Sequence, residues 1–239
     1  MKKLVSLALS AVLALSVVAC GSSDTAASTT ESTSESSDAA ASADGAFKIG
    51  GIGPITGGAA IYGQAVMNAA QMATDEINAA GGINGYQVEF RFEDDEHDAE
   101  KSVNAYNTLK DWGMQMLMGT VTSTPCTAVS AKTEEDNMFQ LTPSGSAVES
   151  ISGDNAFRVC FADPDQGTAS AKYIGENKLA TKIGVIYDSS DVYSSGIYEK
   201  FAAEAANQGL EIVSAEAFTA DNKTDFSVQL QKAKDAGAE

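Results

Sequence analysis

Residues 47–82 read FKIGGIGPITGGAAIYGQAVMNAAQMATDEINAAGG, and the order of features in this stretch decides the class of fold. Phe47, Ile49 and Ile52 are apolar residues dense enough for a short buried strand. A loop rich in Gly and Pro follows, over residues 53–60. Then Ala65, Val66, Ala69, Met72, Ala73 and Ile77 recur at three- and four-residue steps, the spacing of an apolar helix face. Gly81-Gly82 is expected to stop the helix, because glycine takes the left-handed conformation without a Cβ penalty. Strand, glycine loop and long helix make the first unit of a parallel α/β sheet. In such sheets ligands sit beyond the carboxyl ends of the strands, where this loop lies.

Working outward, the same rhythm repeats. Val88, Phe90 and Phe92 alternate with Gln87, Glu89 and Arg91, as in a half-buried strand over 86–92. Further strands are predicted at 114–118 and 138–141, and helices at 99–112 and 128–135. Residues 156–161 read as extended, 167–176 as a helix and KIGVIY (182–187) as a buried strand. The loop 188–195 leads to a helix that runs to residue 207 and stops at Gly209. A strand at 210–218 and a helix at 225–236 complete the chain. The alternation predicts an α/β protein with parallel sheets flanked by helices. It divides into a first lobe at 46–157 and a second at 158–239. No strand follows the last helix, so the second lobe is expected to be incomplete and the sequence to be a fragment of a longer protein.

The first 45 residues differ in kind. Met1-Lys2-Lys3 is basic, residues 4–18 are an apolar run too short to span a bilayer, and small residues precede Cys20. This is a signal peptide over residues 1–19. Its ending resembles the bacterial lipobox, implying cleavage before Cys20 and a lipid on that thiol; the alternative is a plain secretory signal. Residues 20–45, Cys20 followed by Ser, Thr, Ala, Asp and Glu between Gly21 and Gly45, carry no large apolar side chain and are expected to be a disordered tether. The net charge of −18 repels phosphate backbones and anionic lipid headgroups. Nucleic acid is therefore excluded as a partner, and membrane attachment must come from the lipid.

Several residues are candidates for binding. Tyr62 lies in the first loop region, Ser123 at the end of GTVTST (119–124), and Gly145 and Ser146 in TPSGS (142–146). Serine hydroxyls and free N–H groups at a helix start can hold a carboxylate, although Ser123 and Ser146 can equally be helix caps. In the second lobe, Asp163 could hold an ammonium group and Tyr193 could cover an apolar side chain. The plain alternatives are a turn aspartate and an exposed loop tyrosine. Cys126 and Cys160 can pair or stay free, since sequence does not give their geometry. His97 sits among Asp94, Asp95, Glu96 and Asp98. A metal site would want more nitrogen or sulfur ligands, so this run reads as a solvated acidic turn and no metal is expected.

The run GPITGGAAIYGQAVMNAAQMATDEINAAGGINGYQVEF (53–90) resembles the opening of leucine/isoleucine/valine-type substrate-binding proteins of ABC importers. FEDDEHDAEKSVNAYNTL, GTVTSTP, LTPSGS, FRVCFADPDQG and IYDSSDVYSSGIYEKF follow in the family's order. The resemblance implies a two-lobed periplasmic-binding-protein type I (Venus flytrap) fold that closes on an amino-acid-like ligand, performs no chemistry and needs no cofactor. It implies that Ser123 contacts the ligand carboxylate. It implies that Gly145 and Ser146 offer backbone and hydroxyl groups to the carboxylate and amino groups. Tyr62 and Tyr193 would line the cleft from opposite lobes, and Asp163 would lie near the ammonium. His97 stands where leucine-type members carry a disulfide cysteine, so that disulfide should be absent. The partners implied are an ABC importer permease and, through Cys20, the outer face of the cell membrane, with the protein a monomer.

Two rivals remain. Gly51-Ile52-Gly53 after a strand suggests a dinucleotide site, but Thr56 breaks the GxGxxG pattern and Pro54 delays the helix. A ligand-sensing receptor ectodomain of the same fold is the closer one, though it would be expected to carry a spanning helix.

Overall fold

The first strand runs over Ala46–Gly53 (β1), and the glycine loop delivers the chain into a 20-residue helix, Ala60–Ala79 (α1). The computed structural model describes residues 45–239; the leader, Cys20 and the tether lie outside the described residues. Strands follow at Gln87–Asp94 (β2), Met116–Gly119 (β3), Gln140–Thr142 (β4) and Ala156–Arg158 (β5). They form one parallel sheet in the order β2-β1-β3-β4-β5. Helices Ala99–Asp111 (α2) and Ser123–Glu135 (α3) make the next crossovers. The sheet grows one way from β1 to β2 and the other way from β2 through β5. Right-handed crossovers therefore put α1 on one face and α2 and α3 on the other.

The core lies under α2 and α3, where Ile52, Tyr106, Leu109, Leu117 and Val129 are buried together. Met116, Phe139, Phe157 and Val159 point to the opposite face and stay exposed. A polar knot shares the core: buried Gln140 accepts from the Thr133 hydroxyl at 2.6 Å and donates to the Gly119 carbonyl at 3.1 Å.

Helix α1 departs from its expected orientation. Met72 is 63% exposed and Ile77 38%, and Ala65, Ala69 and Ala73 also face outward. The residues turned to the sheet include Gly63, Thr74 and Asn78. A Cβ on Gly63 would meet the Pro54 carbonyl oxygen at 1.9 Å, so the missing side chain lets the helix sit directly on the loop. Asn78 bonds both the N–H and the carbonyl of Val88 at 2.8 Å, and the Thr74 hydroxyl returns to the Ala70 carbonyl. Small and polar residues carry this contact, and an apolar count misses them. Gly81 (φ 98°) and Gly82 (φ 78°) do end the helix in the left-handed region.

In the second lobe, Lys182–Asp188 (β6) and Glu211–Phe218 (β7) pair in parallel. Around them lie Asp163–Glu176 (α4), Val192–Ala205 (α5) and Ser227–Asp235 (α6). Ala171, Phe201, Ala205 and Leu210 form its core. Arg158 belongs to β5, so the first sheet extends one residue past the expected boundary. Helix α4 begins at Asp163, earlier than the predicted 167, because Pro164 suits a first helical turn and Asp163 and Asp165 favour its positive end. Asp163 is thus a helix residue and not a turn aspartate. Asp191 caps α5 by accepting from the Tyr193 N–H, which likewise moves Tyr193 from a loop into a helix. Cys126 and Cys160 are both free.

Candidate functional site

Two hydroxyl-rich loops meet at the carboxyl ends of β3 and β4, and they stitch to each other. The Thr142 hydroxyl donates to the Thr120 carbonyl at 2.7 Å, and that of Ser144 to the Val121 carbonyl at 2.6 Å. Ser123, the first residue of α3, accepts from the N–H groups of Ser146 and Ala147 at 3.1 and 3.2 Å. Thr122, not Ser123, occupies the cap position of α3, and no side chain caps it. Ser123 is therefore a brace between loops, and its own hydroxyl hydrogen remains to be donated. The first N–H groups of α3 have no carbonyl a turn behind them, so they and the helix dipole favour an anion here.

This corner is one wall of a cavity of about 420 Å³ between the lobes, within the usual size of a small-molecule site. Tyr62, Ser123, Ser146 and Tyr193 all line it. Four of the six expected residues are thus brought together. Gly145 is not among the lining residues: its N–H donates to the Thr142 hydroxyl at 2.8 Å, and a Cβ there would meet Cys126 at 2.9 Å. Its contribution is to hold the loop. Asp163 lies behind the cavity, 1% exposed, beside a second and separate hollow. Burial pushes its carboxyl above the ordinary value. Oδ1 accepts from Gln166 at 3.2 Å, and Oδ2 has no partner within the protein.

Other lining residues escaped the sequence reading. His97 takes a left-handed conformation (φ 63°) that turns its ring to the cavity, with Nδ1 2.9 Å from the Thr122 hydroxyl oxygen. The acidic run around it is not simply a solvated turn. Asp98 caps α2. Asp94 accepts from the Ile55 N–H at 2.9 Å and from the Thr56 hydroxyl, fixing the glycine loop. Desolvation of Asp94 is outweighed by these bonds, which hold its carboxyl below the ordinary value. Phe161, Cys160 and Gln166 enter from the crossing and α4, and Asp191 from the start of α5. Only Asp191 had a local signal, an aspartate just ahead of an apolar helix start. Among the described residues, no cluster of His, Cys, Asp and Glu is arranged to hold a metal ion. Helix α1 starts at Ala60, beyond the loop, so the Gly51 and Gly53 amides do not open it as in a dinucleotide fold.

The family model for periplasmic binding protein matches residues 46–239. A Leu/Ile/Val-binding protein homolog from Brucella melitensis is 33% identical over 190 residues, covering 79% of this chain and 51% of the relative. A leucine-, isoleucine-, valine-, threonine- and alanine-binding protein from Pseudomonas aeruginosa is 31% identical, with 78% and 50% covered. Among solved structures, a branched-chain amino acid transporter substrate binding protein from Streptococcus pneumoniae, in complex with isoleucine, superposes with a TM-score of 0.72. It is 32% identical, and the match covers 81% of this chain and 55% of that one. The chain spans about half the length of the curated relatives it matches. Fold, motif order and cleft agree with these matches: the chain belongs to the periplasmic binding protein family.

Proposed function

We propose that this chain forms the carboxylate-binding part of an extracytoplasmic, lipid-anchored solute-binding protein that captures a small amino acid and delivers it to an ABC importer. The observation that carries the reading is the corner where the uncapped start of α3, Ser123 and Ser146 open onto a cavity walled by Tyr62, Phe161 and Tyr193. An anion end beside an aromatic wall fits a ligand with a carboxylate and an apolar side chain. The relatives named for leucine, isoleucine and valine make those three amino acids the first to test. The chain's role in this reading is binding alone, with no catalytic residue and no cofactor.

A thermal-shift series with L-leucine, L-isoleucine, L-valine, benzoate and NAD tests it. The branched-chain amino acids should raise Tm, by mass action on the folded state, and NAD should not. A rise with NAD alone would return the dinucleotide reading.

A further inference from the structure

The cleft is closed by a specific contact that the binding residues do not account for. Thr124, in the first turn of α3, donates its hydroxyl to Asp191 Oδ1 at 3.0 Å. The same oxygen accepts from the Tyr193 N–H at 3.2 Å, capping α5. At 3.5 Å, at the limit of a hydrogen bond, the Tyr193 hydroxyl reaches Gln166 Oε1, and Gln166 donates to Asp163. The first lobe is thereby joined across the cavity to the residues that hold its tyrosine wall. Among the described residues, the ties from the Val159 N–H to the Thr142 carbonyl at 3.1 Å and from the Asp163 N–H to the Ser146 carbonyl at 2.8 Å lie where the chain crosses between lobes. A tie at the crossing leaves the lobes free to rotate about it; a tie across the cavity does not.

We propose that Thr124 and Asp191 are the latch of the cleft: positioning residues that hold the start of α5 against the start of α3 and set how long a ligand stays. Both side chains are part-buried, so the bond to the carboxylate is shielded in part from water. Bonds to charged groups are the stronger ones. Breaking it should lower the closed-to-open ratio by roughly three- to ten-fold. Because the latch must break before a bound ligand can leave, its loss should speed dissociation.

The test measures distances by pulsed electron paramagnetic resonance between labels on genetically encoded ketone residues replacing Glu134 and Asn207. These are exposed positions near the far ends of α3 and α5. Wild type, Thr124→Val, Thr124→Ser and Asp191→Asn are each measured without ligand and with L-leucine. The latch predicts a wider, longer distribution for Thr124→Val under both conditions, a wild-type one for Thr124→Ser and an intermediate one for Asp191→Asn. If Thr124→Val keeps the wild-type distribution, or if Thr124→Ser widens equally, the latch is wrong. The dissociation rate of radiolabelled L-leucine, expected to rise in Thr124→Val, rests in addition on the binding function proposed above. Absence of leucine binding would count against that function, while the distances without ligand still judge the latch.

Discussion

At the scale of single residues, the hydroxyls that drew attention in the sequence are spent mostly on backbone groups of the two loops. Ser123 illustrates it. Composition and position allowed a helix cap or a ligand contact, and the structure gives it a third task, accepting from two buried backbone N–H groups. Ser123→Ala should therefore cost about 2–4 kcal/mol of stability by orphaning them, and lower affinity for an amino acid roughly ten-fold. Chemical denaturation and calorimetry on the same variant check both; a loss near 1 kcal/mol would fit a cap instead. Asp95 gives a pH prediction. It is wholly buried, Oδ1 accepts from the His97 N–H, Oδ2 has no partner, and burial pushes its carboxyl up to about 6 from 3.8. A raised acid favours the folded state at low pH. That contribution is full below about 3.8 and is lost as pH rises through about 6. Asp95→Asn should accordingly stabilise the protein at pH 7.5, by up to about 3 kcal/mol, and change little at pH 3.5. Melting curves at the two pH values decide it, and equal effects at both would contradict the account.

At the scale of elements, the strands and the order of helices were legible because they follow periodicity and glycine stops. The faces and starts of helices were less so. The apolar stripe of α1 was read toward the sheet, yet the contact is made by Gly63, Thr74 and Asn78, whose value lies in close approach and backbone bonding. No hydropathy pattern registers that. Gly63→Ala places a methyl group against the Pro54 backbone, so the helix must lift. A loss of about 2 kcal/mol or more is expected from the overpacking, against the small gain alanine gives in an open helix. Unfolding in urea measures the sign. The starts of α3, α4 and α5 fell four or five residues earlier than predicted, and this matters for the site. Those first turns carry Ser123, Asp163 and Tyr193, and moving them from loops into helices fixes their direction. His97 was illegible for a different reason: its turn into the cleft depends on a left-handed backbone conformation that only the folded loop imposes.

At the scale of the whole molecule, two parallel sheets joined by one crossing create a cleft, and the proposed ligand site is a property of neither lobe alone. Asp163 and Gly145 lie near the cleft without lining the cavity: Asp163 is buried behind it, and the Gly145 N–H is taken up by the Thr142 hydroxyl. Location in the cell belongs to this scale as well. The family is extracytoplasmic, and if Cys20 carries a lipid, Cys20→Ser should move the protein from the membrane to the soluble fraction without changing its Tm. Each buried methylene of the anchor contributes about 0.8 kcal/mol, and wild-type protein found wholly in the medium would refute the anchor. The central claim is that an amino acid carboxylate sits at the start of α3. It is tested most directly by titrating L-isoleucine into 15N-labelled protein and following amide shifts by nuclear magnetic resonance. Saturable downfield shifts of the Ser123 and Thr124 amides are expected, with smaller changes at Tyr193. Saturable shifts confined to residues away from this corner, or no shift at millimolar isoleucine, leucine and valine, would contradict it.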